Sequence, residues 1–305
     1  MSDSPHAITL SLHAMATRFE LVLYGDDPIR LRAAGEQALQ EIERLETQLS
    51  CYRTDSDVTW INSRAAAAPV RIDPRLFHLL LRCADLSKKT SGAFDITIGP
   101  LMRAWGFTDG NPRVPQRSAL AAARDVVGMQ NVELCEEDFT VRFKQRGVEI
   151  DLGGYGKGYA IERAIAILEE NGVTSALLHG GTSSVFGLGA PPQDAGWKIA
   201  LCAPFSRGEE LRLIELKDAG LSVSASHGKW FSIDGRICGH VLDPRTGEPS
   251  GAASAAAVTG PSPSDCEALS TALLVLGESW APEMQASSPD YQAFVASKAL
   301  SRMPL

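Results

Sequence analysis

Residues 240–251 read HVLDPRTGEPSG: an imidazole, two carboxylates and a guanidinium among prolines and glycines. Pro244 fixes φ and removes an N–H, and Gly247 opens turn conformations closed to other residues. Rigid turns carrying His, Asp and Arg are where binding and catalysis concentrate. An imidazole titrates near ~6.5, so His240 is a candidate general base around neutral pH. Asp243 and Arg245 are expected mainly to brace the turn.

Other segments carry chemistry at useful spacings. DLGGYGKGYAIERA (151–164) reads as a strand end, a glycine-rich turn and a helix start. Such a turn offers backbone N–H groups and the positive end of a helix to an anion, and Lys157 adds a charge. It matches neither the P-loop nor the dinucleotide fingerprint, and a tight turn with a solvated lysine reads equally well. In SDCEALSTALLVLG (264–277) Glu267 and Thr271 lie four apart and share a helix face. Carboxylate plus hydroxyl is oxygen-only ligation, suited to Mg²⁺ and not to zinc; an acidic residue favoured at a helix start is the plainer reading. Asp95 sits among apolar residues in SGAFDITIGPLMRAWGF (91–107). It either caps a turn or holds a ligand's polar edge. Tyr52, just past a helix, could stack on a planar ring or simply cover the surface. The paired glycines of GGTSSVFGLG (180–189) are either a backbone approach to a ligand or a bulged strand. SASHG (224–228) fails the nucleophile-elbow pattern.

These residues need elements to hold them. Alternating polarity predicts strands in ITLSLHAM and RFELVLYG between Ile8 and Tyr24. Asp27-Pro28 and Asp73-Pro74 each open a helix as N-cap and first-turn proline. A third helix is expected near Pro115. FTVRF and VEIDL (139–152) read as a hairpin around Gln145-Arg146-Gly147. A helix over Gly158–Glu170 ends at Gly172. Short strands follow (SALLH, WKIAL, LRLIEL, LSVSA, KWFSI, AASAAAVTG), then a helix over Glu267–Leu276 and a helical tail over Tyr291–Ser301. Helices early and strands late, with hairpin-length connections, predict an α+β fold.

The composition narrows the partners. The 305 residues are 44 % hydrophobic and 22 % charged, ordinary for a globular protein. A net charge of −8 argues against a general nucleic-acid binder. No run approaches the ~20 apolar residues of a membrane span. The first residues show no secretory signal. Six scattered cysteines without a CxxC pair read as reduced thiols. The expected location is therefore cytoplasmic.

Taken together and in order, MATRFELVLYG, LSCYRTDSDVTWIN, SGAFDITIGPL with WGF, DLGGYGKGYA, HGGTSS, HVLDPRTGEP and ALSTALLVLG run from Met15 to Gly277. This set resembles the ApbE-type FAD:protein FMN transferase family. The resemblance implies one T-fold-like α+β domain of two intertwined lobes with mainly antiparallel sheets, over residues 8–285, with a tail over 286–305. It implies Mg²⁺-dependent transfer of FMN from FAD to a threonine of an acceptor flavoprotein through a phosphoester, with release of AMP. FAD hydrolysis to FMN and AMP and non-catalytic FAD binding are the rival readings. By position, the resemblance assigns FAD contacts to Met15, Tyr52, Ala93, Phe94, Asp95, Asp151, Lys157 and Leu242. The base is His240, and the metal positions are Gly154, Glu267, Ser270 and Thr271. Three positions depart from the family pattern. Glu267 stands for an aspartate, Ala16 for a glycine, and Ala225-Ser226-His227 for threonine-serine-glycine.

Overall fold

Alternation along Ile8–Tyr24 produces a hairpin in which Phe19, Leu21 and Leu23 are buried on one side. The structure is a computed structural model and describes residues 6–202, 210–226, 230–233 and 236–297. In chain order the elements are β1 (His6–Ala14), β2 (Thr17–Gly25), α1 (Pro28–Leu49), α2 (Asp57–Arg64), β3 (Val70–Arg71), α3 (Pro74–Lys89), α4 (Gly99–Ala104) and α5 (Arg117–Val126). Then come β4 (Val132–Cys135), β5 (Thr140–Phe143), α6 (Gly156–Glu170), β6 (Ala176–Gly180), β7 (Ser184–Leu188), β8 (Trp197–Cys202), β9 (Glu210–Leu216) and β10 (Ala219–Ala225). The chain ends with β11 (Trp230–Ile233), β12 (Arg236–Gly239), β13 (Ala253–Gly260), α7 (Pro263–Leu276), α8 (Ala281–Ser287) and β14 (Gln292–Ser297).

The main sheet has seven strands in the order β1-β2-β6-β7-β10-β13-β14, each neighbour antiparallel. Helices α1, α6 and α7 lie side by side over it and bury the largest apolar cluster. The antiparallel ribbon β8–β9 covers other sheet residues through Trp197, Ile214 and Leu216. Residues between α1 and α6 build the second lobe around the small sheet β3-β5-β4. The two lobes interlock through the histidine turn. Its Leu242 is buried with Leu101 and Trp105 of the second lobe, and the Trp105 indole N–H donates to the Gly247 carbonyl (2.7 Å). The architecture is the expected single α+β domain with mainly antiparallel sheets.

The Asp-Pro helix starts form as read: the Asp27 and Asp73 carboxylates accept from the first-turn N–H groups of α1 and α3. Two expectations are corrected. VEIDL is not a strand, and the hairpin partner of β5 is β4. The Asn62 amide takes both the N–H (2.8 Å) and the carbonyl (2.9 Å) of Ile150, and Asp151 N–H donates to the Ile96 carbonyl (2.7 Å). The backbone groups a ladder would use are thus claimed by a side chain and a loop. The expected helical tail over Tyr291–Ser301 is not helical in its described part, residues 291–297, and its last four residues lie outside the described residues. Residues 292–297 are β14, paired with β13 at the sheet edge, because that edge offers unpaired backbone groups.

Candidate active site

The site is assembled where the ends of several elements meet. Gly154 lies in the turn before α6. A Cβ placed on it would be 3.7 Å from both Thr271 Oγ1 and the Phe94 ring, so the turn threads between α7 and the Ala93–Asp95 segment. One turn on, the Lys157 ammonium pairs with Glu267 Oε1. Glu267 Oε2 accepts from Gly158 N–H (2.7 Å). The first turn of α6 is otherwise without a side-chain cap, so this carboxylate serves as one. Gly158 permits the approach: a Cβ there would lie 2.3 Å from the Pro263 carbonyl oxygen.

Behind Glu267, hydroxyls cluster between α7 and β10. Ser224 Oγ lies 2.9 Å from Ser270 Oγ and 3.2 Å from Thr271 Oγ1. Both α7 hydroxyls also donate to the Glu267 carbonyl (3.0 and 2.9 Å). Ser270 is wholly buried and shared with Ser222 as well, whereas Thr271 is half-buried. Among the described residues no group of three or more His, Cys, Asp and Glu surrounds a metal-sized site. The oxygen donors here are one carboxylate, hydroxyls and main-chain carbonyls, a set that fits a hard cation such as Mg²⁺ in kind.

On the other side of Gly154, Asp151 Oδ1 accepts from Gly153 N–H (2.8 Å) and the Cys51 thiol bonds the same carboxylate. Burial, then the Asp151 charge, push the Cys51 thiol up to about 12. Next to it Tyr52 is 64 % exposed, leaving its ring face open for stacking. Met15 stands beside the last turn of α1. It and Ala16 form the two-residue β1–β2 turn with φ of 50° and 56°, where glycine or asparagine is favoured. Met15 N–H donates to Glu46 Oε1 (2.6 Å).

The histidine turn is a closed loop: Ser250 N–H donates to the Val241 carbonyl (2.8 Å) and Asp243 N–H to Glu248 (2.8 Å). Arg245 Nε and Nη2 each bind an Asp243 oxygen at 2.8 Å, so this pair braces the turn as expected. Ser250 Oγ donates to the Leu274 carbonyl (2.8 Å), fastening the turn to α7. Gly239 abuts the end of β10, its notional Cβ 2.6 Å from the Ser226 carbonyl oxygen. His240 is thereby held near the strand that carries Ser224. His227 lies outside the described residues.

Asp95 caps its turn. Its carboxylate accepts from Thr97 N–H (2.8 Å), Thr97 Oγ1 (2.6 Å), Ser87 Oγ (3.0 Å) and Met129 N–H (2.9 Å). Ala93 and Phe94 are almost fully buried. The structure therefore joins Phe94, Gly154, Lys157, Glu267, Ser270 and Thr271 directly, and Cys51, Tyr52 and Asp151 alongside. Glu46, Asn62, Cys51 and Ser224 were not singled out for these roles from the sequence. Each acts on a partner remote in the chain, and no local pattern marks such a partner.

An antiparallel sheet backed by helices, with a lysine–carboxylate–hydroxyl cluster at one end, defines a class that known proteins share. A family model described as the ApbE family matches residues 15–295. The FAD:protein FMN transferase of Salmonella typhimurium is 28 % identical over 289 residues, covering 92 % of this chain and 82 % of that protein. That of Treponema pallidum is 29 % identical over 262 residues, covering 81 % and 72 %. Among solved structures, the ApbE protein of Thermotoga maritima superposes with a TM-score of 0.87 at 27 % identity, covering 95 % and 94 % of the two chains. The flavinyl transferase ApbE of Pseudomonas stutzeri, in apo form, gives 0.84 at 26 %, covering 97 % and 96 %. The chain belongs to the ApbE family and is a transferase.

Proposed function

We propose that this protein transfers FMN from FAD to a threonine hydroxyl of an acceptor flavoprotein and releases AMP. The observation that carries this reading is the joining of Lys157, Glu267, Thr271 and the Gly154 turn in one cluster beside Phe94 and Asp151. It puts a cation, oxygen donors and a helix N-terminus where a pyrophosphate needs charge neutralisation. Tyr52, with Met15, provides surface for the flavin ring. Asp95, Ala93, Phe94 and Leu242 shape the wall from within the core. Phe94 and Leu242 pack beneath it, and Asp95 fixes the turn that presents the segment's backbone.

Glu267, Thr271 and the Gly154 carbonyl would hold Mg²⁺, with buried Ser270 bracing the α7 face from behind. When bound, the ion supplies positive charge against the phosphoryl oxygens. His240 accepts the proton of the threonine hydroxyl as its Oγ bonds to the FMN phosphorus. The bond from that phosphorus to the bridging oxygen breaks, and AMP leaves with the oxygen. The closed turn around His240 keeps the imidazole in register, since Gly239 packs against Ser226 and the Ser250 hydroxyl fastens the turn to α7.

The test is incubation of the protein with FAD, Mg²⁺ and a threonine-bearing acceptor, followed by mass analysis. Covalent FMN on the acceptor with stoichiometric AMP is expected. Free FMN would indicate hydrolysis, and intact bound FAD would refute both. His240→Ala is expected to keep FAD binding and abolish transfer; near-full transfer would remove His240 from the role of base.

A further inference from the structure

A groove of about 500 Å³ runs between α3 and α6. Arg75, His78 and Arg82 line it from α3, and Tyr159, Glu162 and Arg163 from α6. The α6 residues share one face. Lys157 lies roughly 200° round the helix from Tyr159, at ~100° per residue. The groove is thus on the opposite side of α6 from the lysine–glutamate cluster.

Its carboxylates are already matched. Glu162 Oε2 accepts from Ser262 and Ser264 hydroxyls (2.6 Å each). Asp265 is held by Arg82 and by the Tyr291 hydroxyl (2.9 Å). Two of its cations, Arg75 and Arg163, are not. Among the described residues Arg75 and Arg163 form no ion pair within 4.0 Å, and Arg163 Nε is buried with no hydrogen-bond partner. A buried donor without an acceptor is costly. Glu41, a carboxylate outside the groove that feels both arginines, is taken by Arg44 (2.7 Å). Arg44 first, and then the charges of Arg163 and Arg75, hold the Glu41 carboxyl below its ordinary value. The charges of the two guanidiniums are therefore felt at the groove's edge, beside the hydroxyl-bound Glu162.

We infer that this groove is a second binding site, for a phosphate group, gripped by Arg163 and Arg75. Guanidinium forks match phosphate oxygens in geometry as well as charge. Tyr159, stacked on Tyr155 with ring centroids 6.4 Å apart, gives a flat wall beside the phosphate for an attached ring. The phosphate could be inorganic or that of a nucleoside monophosphate.

The test is calorimetric titration of the full chain with inorganic phosphate and, separately, with adenosine monophosphate, at fixed ionic strength. Saturable binding is expected, weakened about tenfold or more in Arg163→Gln and in Arg75→Gln, since a charge-assisted bond is lost in each. Binding lost in Lys157→Met but kept in both arginine variants would place the phosphate at the lysine–glutamate cluster and overturn the proposal. If Arg163→Gln does not fold, Arg163→Lys keeps the charge and loses the buried Nε donor, and it too should bind more weakly. Tighter binding of the nucleotide, with the gain lost in Tyr159→Ala, assigns a nucleotide; equal affinities assign bare phosphate. Absence of saturable binding at millimolar phosphate, or equal binding by wild type and both arginine variants, overturns the proposal.

Discussion

Replacing Lys157 by Met, Glu267 by Gln, and both together isolates the pair at the centre of the site. The Glu267 side chain is 5 % exposed and that of Lys157 23 %. Stranding one member of a buried pair costs ~3–5 kcal/mol. Glu267 keeps the Gly158 N–H, however, and water reaches the lysine side, so K157M is expected to cost ~2.5 kcal/mol. E267Q leaves an ammonium that can turn to solvent and an amide oxygen that still accepts from Gly158, for ~1 kcal/mol. The double variant buries no lone charge and should cost ~1.5 kcal/mol, giving a coupling of ~2 kcal/mol. Urea unfolding followed by tryptophan fluorescence measures all four proteins. A coupling below ~0.5 kcal/mol with unchanged m-values would mean that the pair does not form in solution as described. The double variant, folded, should still fail to transfer FMN, which separates the stability of the cluster from its use.

Other outcomes follow from the same contacts. Ala16→Gly, at φ 56°, should raise stability by ~1 kcal/mol in thermal unfolding, since a left-handed alanine costs ~1–2 kcal/mol and glycine gives part of that back in the unfolded chain. Asp95→Ala strands four donors in the core and should cost ~3 kcal/mol by denaturant titration, before any effect on FAD. The Cys51 thiol, held up at about 12 by burial, contributes stability that is complete below the ordinary thiol range and is lost as pH rises toward the folded value. Denaturation midpoints should therefore fall between about pH 9 and 12, and less steeply in Cys51→Ala; equal slopes would contradict the burial. Trp105→Phe leaves the Gly247 carbonyl unpaired and should cost ~1–2 kcal/mol, visible as a lowered midpoint.

Much of the frame was legible because its causes are local. Asp27-Pro28 and Asp73-Pro74 carry their own caps, and the two-residue alternation of Thr17–Gly25 sorts Phe19, Leu21 and Leu23 inward. Where a remote partner decides, local reading fails. Asn62 takes Ile150 out of any ladder across 88 residues, and β13 recruits Gln292–Ser297 into a strand that its own sequence marks weakly. The site behaved likewise. The i, i+4 spacing put Glu267 and Thr271 on one face, but nothing in either segment announced that Glu267 would reach Lys157. Asp95 takes four donors, one of them from Met129, 34 residues on, a network its own apolar segment does not announce.

The Glu267 carboxylate closes the first turn of α6 through the Gly158 N–H, 109 positions earlier in the chain. A nascent chain that has emerged only as far as β10 therefore holds α6 with an open, uncapped start and an unmatched Lys157. The cluster is completed only when α7 docks, since a chain that has reached only β10 lacks Glu267, Ser270 and Thr271.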